Sequence, residues 1–212
     1  MLQNIKWLGH DSFLIKKEKI IYIDPFKIKD TKDKADLILI THDHFDQFSL
    51  DDINKIKKSS TIIVGPEELK EKIDGNLKLL KPFQSITIEN IKIDTIPAYN
   101  VNKFRAPGKV FHPKEDNKLG FIITIDGKKI YHAGDTDLIP EMAQLKNIEI
   151  ALLPVSGTYV MTSEEASQAV DIIKPKIAVP MHFGSIVGDK KDAGRFKKLV
   201  GNKCQVEILE EE

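Results

Sequence analysis

The chain of 212 residues has a single cysteine, Cys204, and no net charge, with 32 basic residues set against 32 acidic ones. One thiol excludes an internal disulfide and fits a reducing compartment, so cytoplasmic residence is the expectation. Balanced charge leaves no global field to attract nucleic acid or an anionic membrane. No apolar run approaches the roughly 18 residues that a membrane span requires. The opening Met1-Leu2-Gln3-Asn4-Ile5-Lys6 lacks the apolar core of a signal peptide. Catalytic signatures are missing too: there is no Gly-x-Ser-x-Gly elbow, no glycine-rich phosphate loop ahead of a lysine, and no histidine beside Cys204. Covalent catalysis and nucleoside-triphosphate binding are therefore disfavoured. The 41% of hydrophobic residues can fill one α/β core, which predicts a single domain over residues 1–212.

What the chain does contain is Thr41-His42-Asp43-His44-Phe45-Asp46-Gln47, directly after the apolar run Ala35-Asp36-Leu37-Ile38-Leu39-Ile40. The run reads as a buried strand. Alternation at its end sends His42 and His44 to one side, and Asp46, two residues further on, can reach the same pocket. Imidazole and carboxylate are donors that zinc and related divalent ions prefer. Two of only six histidines so placed point to a metal centre rather than a polar loop.

Around this motif the pattern predicts strands near 5–8, 12–16, 20–23, 61–64, 78–80, 85–88 and 91–96. A helix over 50–57 can be capped by Ser49. Residues 97–118 show neither helical nor strand period and read as a long functional loop bordering the site. A hairpin over 119–132 turns at Asp126-Gly127. After a strand at 148–153, Thr162 and Glu165 form a capping box for a helix ending near Lys174-Pro175. A strand at 177–180, a helix at 193–200 and an edge strand at 205–209 close the chain. Phe13-Leu14-Ile15 with Ile20-Ile21-Tyr22-Ile23 is echoed by Phe121-Ile122-Ile123 with Ile130-Tyr131-His132, a weak sign of duplicated architecture.

Several ordered segments carry a family likeness. Thr41-His42-Asp43-His44-Phe45-Asp46-Gln47 resembles the His-x-His-x-Asp-His signature of the metallo-β-lactamase superfamily, with Gln47 in place of the last histidine. Trp7-Leu8-Gly9-His10-Asp11-Ser12 and Ile23-Asp24-Pro25 resemble the first strands of its branch of ascorbate-phosphate lactonase-like and phospholipase D-like hydrolases. Tyr131-His132-Ala133-Gly134-Asp135-Thr136 and Pro180-Met181-His182-Phe183-Gly184 resemble its later metal motifs. The resemblance implies an α/β fold, an αββα sandwich of two mixed sheets with helices on the outer faces and the metal site at one edge. It also implies that Asp135 bridges two metals and that His182 serves the second. The cofactor is then one or two divalent ions, zinc first, with manganese, iron or nickel as alternatives.

Two positions depart from that pattern. An amide at Gln47 is a poorer donor than imidazole, so the second site is expected to bind more weakly. Asn100, in Pro97-Ala98-Tyr99-Asn100, stands where close relatives carry the third histidine of the first site. His112 is then expected to fold back from the long loop and complete that site. His10 is expected to support the ligands or touch substrate. His132 is expected to be a core or supporting residue.

A divalent metal lowers the pKa of bound water and polarises an acyl or phosphoryl oxygen, so hydrolysis would need no side-chain nucleophile. Asp46 is the expected partner that orients that water or takes its proton. The stretch 102–118 carries Lys103, Arg105, Lys109, Lys114 and Lys118 against Glu115 and Asp116, an excess that could hold an anionic substrate. Tyr159, in Gly157-Thr158-Tyr159-Val160-Met161, is a candidate wall of the site. The reading is a metal-dependent hydrolase of a small ester, lactone or phosphodiester; a nuclease and a catalytically impaired metal-binding protein are the alternatives. Balanced charge speaks against the nuclease, which would need a basic track.

Overall fold

Nearly continuous apolar runs, buried on both faces, build the centre of the first sheet. The computed structural model describes residues 1–29 and 31–212. Strands β1 (Ile5–Trp7), β2 (Phe13–Lys16) and β3 (Ile20–Ile23) run antiparallel, and β4 (Leu37–Leu39), β5 (Ile62–Gly65) and β6 (Asn76–Leu79) continue the sheet in parallel. Phe13, Ile15, Ile21, Ile23, Leu37 and Leu39 point into the central core. The alternate residues Leu14, Tyr22, Ile38 and Ile63 point the other way and pack with Ile53 and Ile56 of α1 (Leu50–Ile56).

The second sheet begins with β7 (Ser85–Ile88) and β8 (Ile91–Pro97). A separate hairpin follows, β9 (Phe104–Ala106) with β10 (Lys109–Val110), before β11 (Leu119–Ile125) and β12 (Lys128–His132). Strands β13 (Ile148–Pro154), β14 (Ile177–Met181) and β15 (Gln205–Val206) complete the order β15-β14-β13-β12-β11-β8-β7. Ile93, Phe121 and Ile123 share the core that the first sheet closes from the other side. Ala166, Ala169 and Val170 of α2 (Ser163–Ile173), with Phe196 and Val200 of α3 (Lys190–Val200), belong to the same apolar cluster. The layers are the expected αββα sandwich.

Local signals act where the sequence places them. Ser49 accepts from the Asp52 N–H, and Thr162 forms a reciprocal capping box with Glu165, each such cap contributing about 1 kcal/mol. Helix α3 starts earlier than residue 193 because Asp189 and Asp192 make a second capping box. Asp126 and Gly127 turn the β11–β12 hairpin with φ of 50° and 72°. Stretch 97–118 is more ordered than its lack of periodicity suggests, since it holds the β9–β10 hairpin and a 3-10 turn at Lys114–Asp116. The closing edge strand is only Gln205–Val206.

The sequence echo has a counterpart in connectivity. In one sheet β2 and β3 pair antiparallel before β4 and β5 add in parallel; in the other β11 and β12 pair antiparallel before β13 and β14 add in parallel. The parallel strands end in loops that carry Asp24, His42, Asp135, Ser156 and His182.

Candidate metal centre

Strand β4 stops at Leu39, so His42 and His44 lie on a loop and not at an alternating strand end as expected. The turn itself brings their rings to 4.5 Å. Asp24, following β3, fixes this loop: its carboxylate accepts from the Thr41 N–H and from the Thr41 hydroxyl, both at 2.7 Å. With its proton so committed, Thr41 Oγ1 accepts from His42 Nδ1 at 3.0 Å. His42 Nε2 is thereby left as a lone pair, buried and without a hydrogen-bond partner among the described residues.

Three further donors meet it. His112 Nε2 lies 3.4 Å from His44 Nδ1 and 3.7 Å from Asp135 Oδ2, and His42 Nε2 lies 3.8 Å from the same carboxylate oxygen. Nitrogens bound about 2.0–2.1 Å from zinc stand about 3.3 Å apart in a tetrahedron, so this spacing suits a shared cation. His44 is the exposed member, and the other three are buried.

A second group adjoins the first through Asp135. His182 Nε2 is 3.4 Å from Asp135 Oδ2, and Ser156 Oγ holds His182 Nδ1 at 3.0 Å. His10 Nε2 donates to Asp46 Oδ2 at 3.0 Å, and the rings of His10 and His182 are 4.1 Å apart. Asp46 thus faces His10 and His182 rather than the pocket of His42 and His44. Asp11, which no motif marks as a site residue, is fully buried here, with Oδ2 at 3.9 Å from both His10 and His182.

Burial sets the electrostatics. It raises the Asp11 and Asp135 carboxyls to about 6, their nearness to one another adding to the effect at Asp11. It lowers His112 to about 3, with His44 next in effect, and His182 to about 4. At His10 burial works against the imidazolium, yet Asp11, Asp46 and Asp135 outweigh it and raise the pKa to about 9. Asp46 is buried as well, but the hydrogen bond from His10 holds it below the usual carboxylate value. A concave group of neutral imidazoles and confined carboxylates has the chemistry of a cation site.

A family model described as the beta-lactamase superfamily domain matches residues 4–182. The chain belongs to the metallo-β-lactamase superfamily. A Thermococcus onnurineus protein named UPF0173 metal-dependent hydrolase is 36% identical over 220 residues, covering 97% of this chain and 95% of its own. The structure of a candidate metal-dependent hydrolase from Parabacteroides distasonis matches with a TM-score of 0.84 at 34% identity, over 98% of this chain and 93% of that one. Igni18, a metallo hydrolase from Ignicoccus hospitalis, matches with a TM-score of 0.78 at 25% identity, over 97% and 94% of the two chains.

In this member of the superfamily the unusual positions have defined contacts. Gln47 is buried, and its Nε2 donates to Asp11 Oδ2 at 2.9 Å and Asp135 Oδ1 at 3.3 Å. Asn100 Oδ1 accepts from the His112 N–H at 2.9 Å, while its Nδ2 donates to the Tyr159 carbonyl at 2.7 Å. Tyr159 stacks edge-on with Phe111, ring centroids 4.6 Å apart, beside His112 in the chain. His132 donates from Nε2 to the Asp11 carbonyl at 2.9 Å and supports that residue.

The basic loop divides. Lys103 is engaged by Glu165 at 2.7 Å and Asp137 at 3.3 Å, and Lys114 pairs with Glu141 at 2.6 Å. Lys118 is buried, 3.9 Å from Asp43 and 3.7 Å from Glu68. Arg105 and Lys109 stay exposed on the β9–β10 hairpin. Among the described residues no helix is long and apolar enough to cross a membrane.

Proposed function

We propose that this chain is a cytoplasmic metal-dependent hydrolase, acting as one domain on a small ester, lactone or phosphodiester. The observation that carries the reading is the convergence of His42 Nε2, His44, His112 and Asp135 Oδ2 on one point, with the His42 nitrogen buried and unpartnered. Zinc suits three imidazoles and a carboxylate best, and manganese, iron or nickel would also be held. When bound, such an ion lowers the pKa of water and polarises the acyl or phosphoryl oxygen of the substrate.

The chain's own residues set the conditions. Asp135 touches both donor groups and is the candidate bridge. Asp46, kept ionised by His10, is suited to orient a water by accepting its hydrogen bond, more than to take the proton outright. Arg105 and Lys109 could meet an anionic group from the hairpin, whereas Lys103 is committed to the loop's own structure.

The test is turnover of a panel of chromogenic esters, lactones and phosphodiesters by chelated and metal-reloaded protein. Hydrolysis that appears on reloading and vanishes on chelation is expected. No turnover of any class by fully loaded protein would defeat the hydrolase reading.

A further inference from the structure

We infer that His10 supplies the imidazole that position 47 lacks, so that His10, Asp46 and His182, together with Asp135, hold a second divalent cation beside the first group. This rests on the proposed reading of the centre as a metal site. It assigns to His10 a direct contact with the ion, where the sequence suggests only a supporting or substrate-binding role.

The donor atoms of His10, Asp46 and His182 lie within 4.8 Å of one another, and all three residues are buried. The 3.0 Å between His10 Nε2 and Asp46 Oδ2 and the 3.4 Å between His182 Nε2 and Asp135 Oδ2 are the separations of neighbouring ligands on one ion. His182 Nε2 has no hydrogen-bond partner among the described residues, and neither has Asp11 Oδ1. A purely structural His10–Asp46 ion pair would leave the His182 nitrogen desolvated at about 1–3 kcal/mol.

The backbone fixes the two rings relative to one another. His10 and His182 both adopt left-handed conformations, with φ of 51° and 60°. Such conformations are costly for residues other than glycine and persist where the surroundings impose them. Here the His182 N–H donates to the His10 carbonyl at 3.0 Å, and the Trp7 indole donates to the same carbonyl at 2.9 Å. Two strained histidines are thus locked ring to ring across the junction of the sheets.

Gln47 is engaged differently in this arrangement. Its amide nitrogen is the end turned to the carboxylates of Asp11 and Asp135, and its oxygen, a weaker donor than imidazole, is buried without a hydrogen-bond partner among the described residues. The reversed amide would set its oxygen against those carboxylates. Gln47 therefore works as a clamp on the acids, and the weaker second site expected from its side chain need not follow.

The experiment is a cobalt(II) and zinc titration of chelator-stripped protein, read as ions per chain by elemental analysis and by the cobalt visible spectrum. Wild-type protein should take up two ions. His10→Ala should take up one, with the affinity for that ion changed less than about threefold. His10→Gln, whose amide preserves a donor to Asp46 and guards against loss of folding, should weaken the second ion by more than about a hundredfold, beyond the loss typical of a mere supporting residue. Gln47→Ala should still take up two. Histidine ring nitrogen resonances of zinc-loaded wild-type protein should show five metal-bound imidazoles and one unbound, His132. Two ions in both His10 variants with unchanged affinities, or four bound imidazoles, would overturn the role of His10. Uptake of one ion by wild-type protein would overturn it too, while leaving a mononuclear hydrolase standing. Failure to bind any ion would instead defeat the proposed function.

Discussion

Asn100 and His112 hold each other by two hydrogen bonds: the Asn100 N–H donates to the His112 carbonyl at 2.8 Å, and the His112 N–H donates to Asn100 Oδ1 at 2.9 Å. Asn100 thereby positions His112, the histidine proposed to complete the first site. Asn100→Ala should lower affinity for the first ion about 10- to 100-fold, the usual loss when the residue behind a ligand is removed. Competition with a chromophoric chelator would measure this, and wild-type affinity would show that His112 is placed by other contacts.

Exchange of His42 and His44 together for Ala should remove the first ion with little change in far-ultraviolet circular dichroism, because these loop residues lie outside the apolar core. Unchanged metal content in the double variant would refute their role as ligands.

Asp135→Asn should lower kcat by on the order of a thousandfold, about 4 kcal/mol at 1.36 kcal/mol per tenfold. The amide cannot supply a negative bridge between the two donor groups. Turnover by the metal-loaded variant at the wild-type rate would remove Asp135 from the mechanism.

Arg105→Gln with Lys109→Gln should raise KM for an anionic substrate more than for a neutral analogue and leave the melting temperature unaltered. Lys103→Gln should act in the opposite way. Its partners Glu165 and Asp137 lose their counter-charge, so the melting temperature falls while the two substrates are affected alike. Equal kinetic effects from both sets would assign the hairpin to plain surface.

Metal-free protein should lose stability between pH 6.5 and 9. His10 has its pKa raised from 6.5 to about 9, so the folded state binds a proton there that the unfolded state does not. Its contribution is fully present below pH 6.5 and is lost as pH rises through 9, up to about 3 kcal/mol at 1.36 kcal/mol per pKa unit. Urea unfolding of chelated wild-type and His10→Gln protein at the two pH values should show the slope only in the wild type.

The sandwich and most of the donors could be read from the chain because they follow local rules. Short apolar runs build the strands, capping residues start α1 and α2, and His42, His44, Asp135 and His182 sit just beyond strand ends in recognisable motifs. Asp11 could not be read so. Nothing in Gly9-His10-Asp11-Ser12 shows that packing from three other segments will bury its carboxylate beside Gln47, His182 and Asp135. The side of the centre that Asp46 faces is likewise decided by His10, 36 residues earlier in the chain. Lys103 reads as available to substrate in the sequence because its partner Glu165 lies 62 residues away on α2. Charge counts over a loop carry no information about such distant pairing.

The donors divide between the sheets in a way that bears on how the molecule comes together. His10, His42, His44 and Asp46 follow strands of the first sheet, whereas His112, Asp135 and His182 belong to the segment that builds the second. Among the described residues, neither half of the chain contains a complete coordination set. A cation seated here would work as a rivet between two layers, able to join them only after they have docked in register. Metal uptake would then follow sheet assembly during folding and lock it afterwards, and stripping the ion would loosen the seam between the sheets before either sheet came apart.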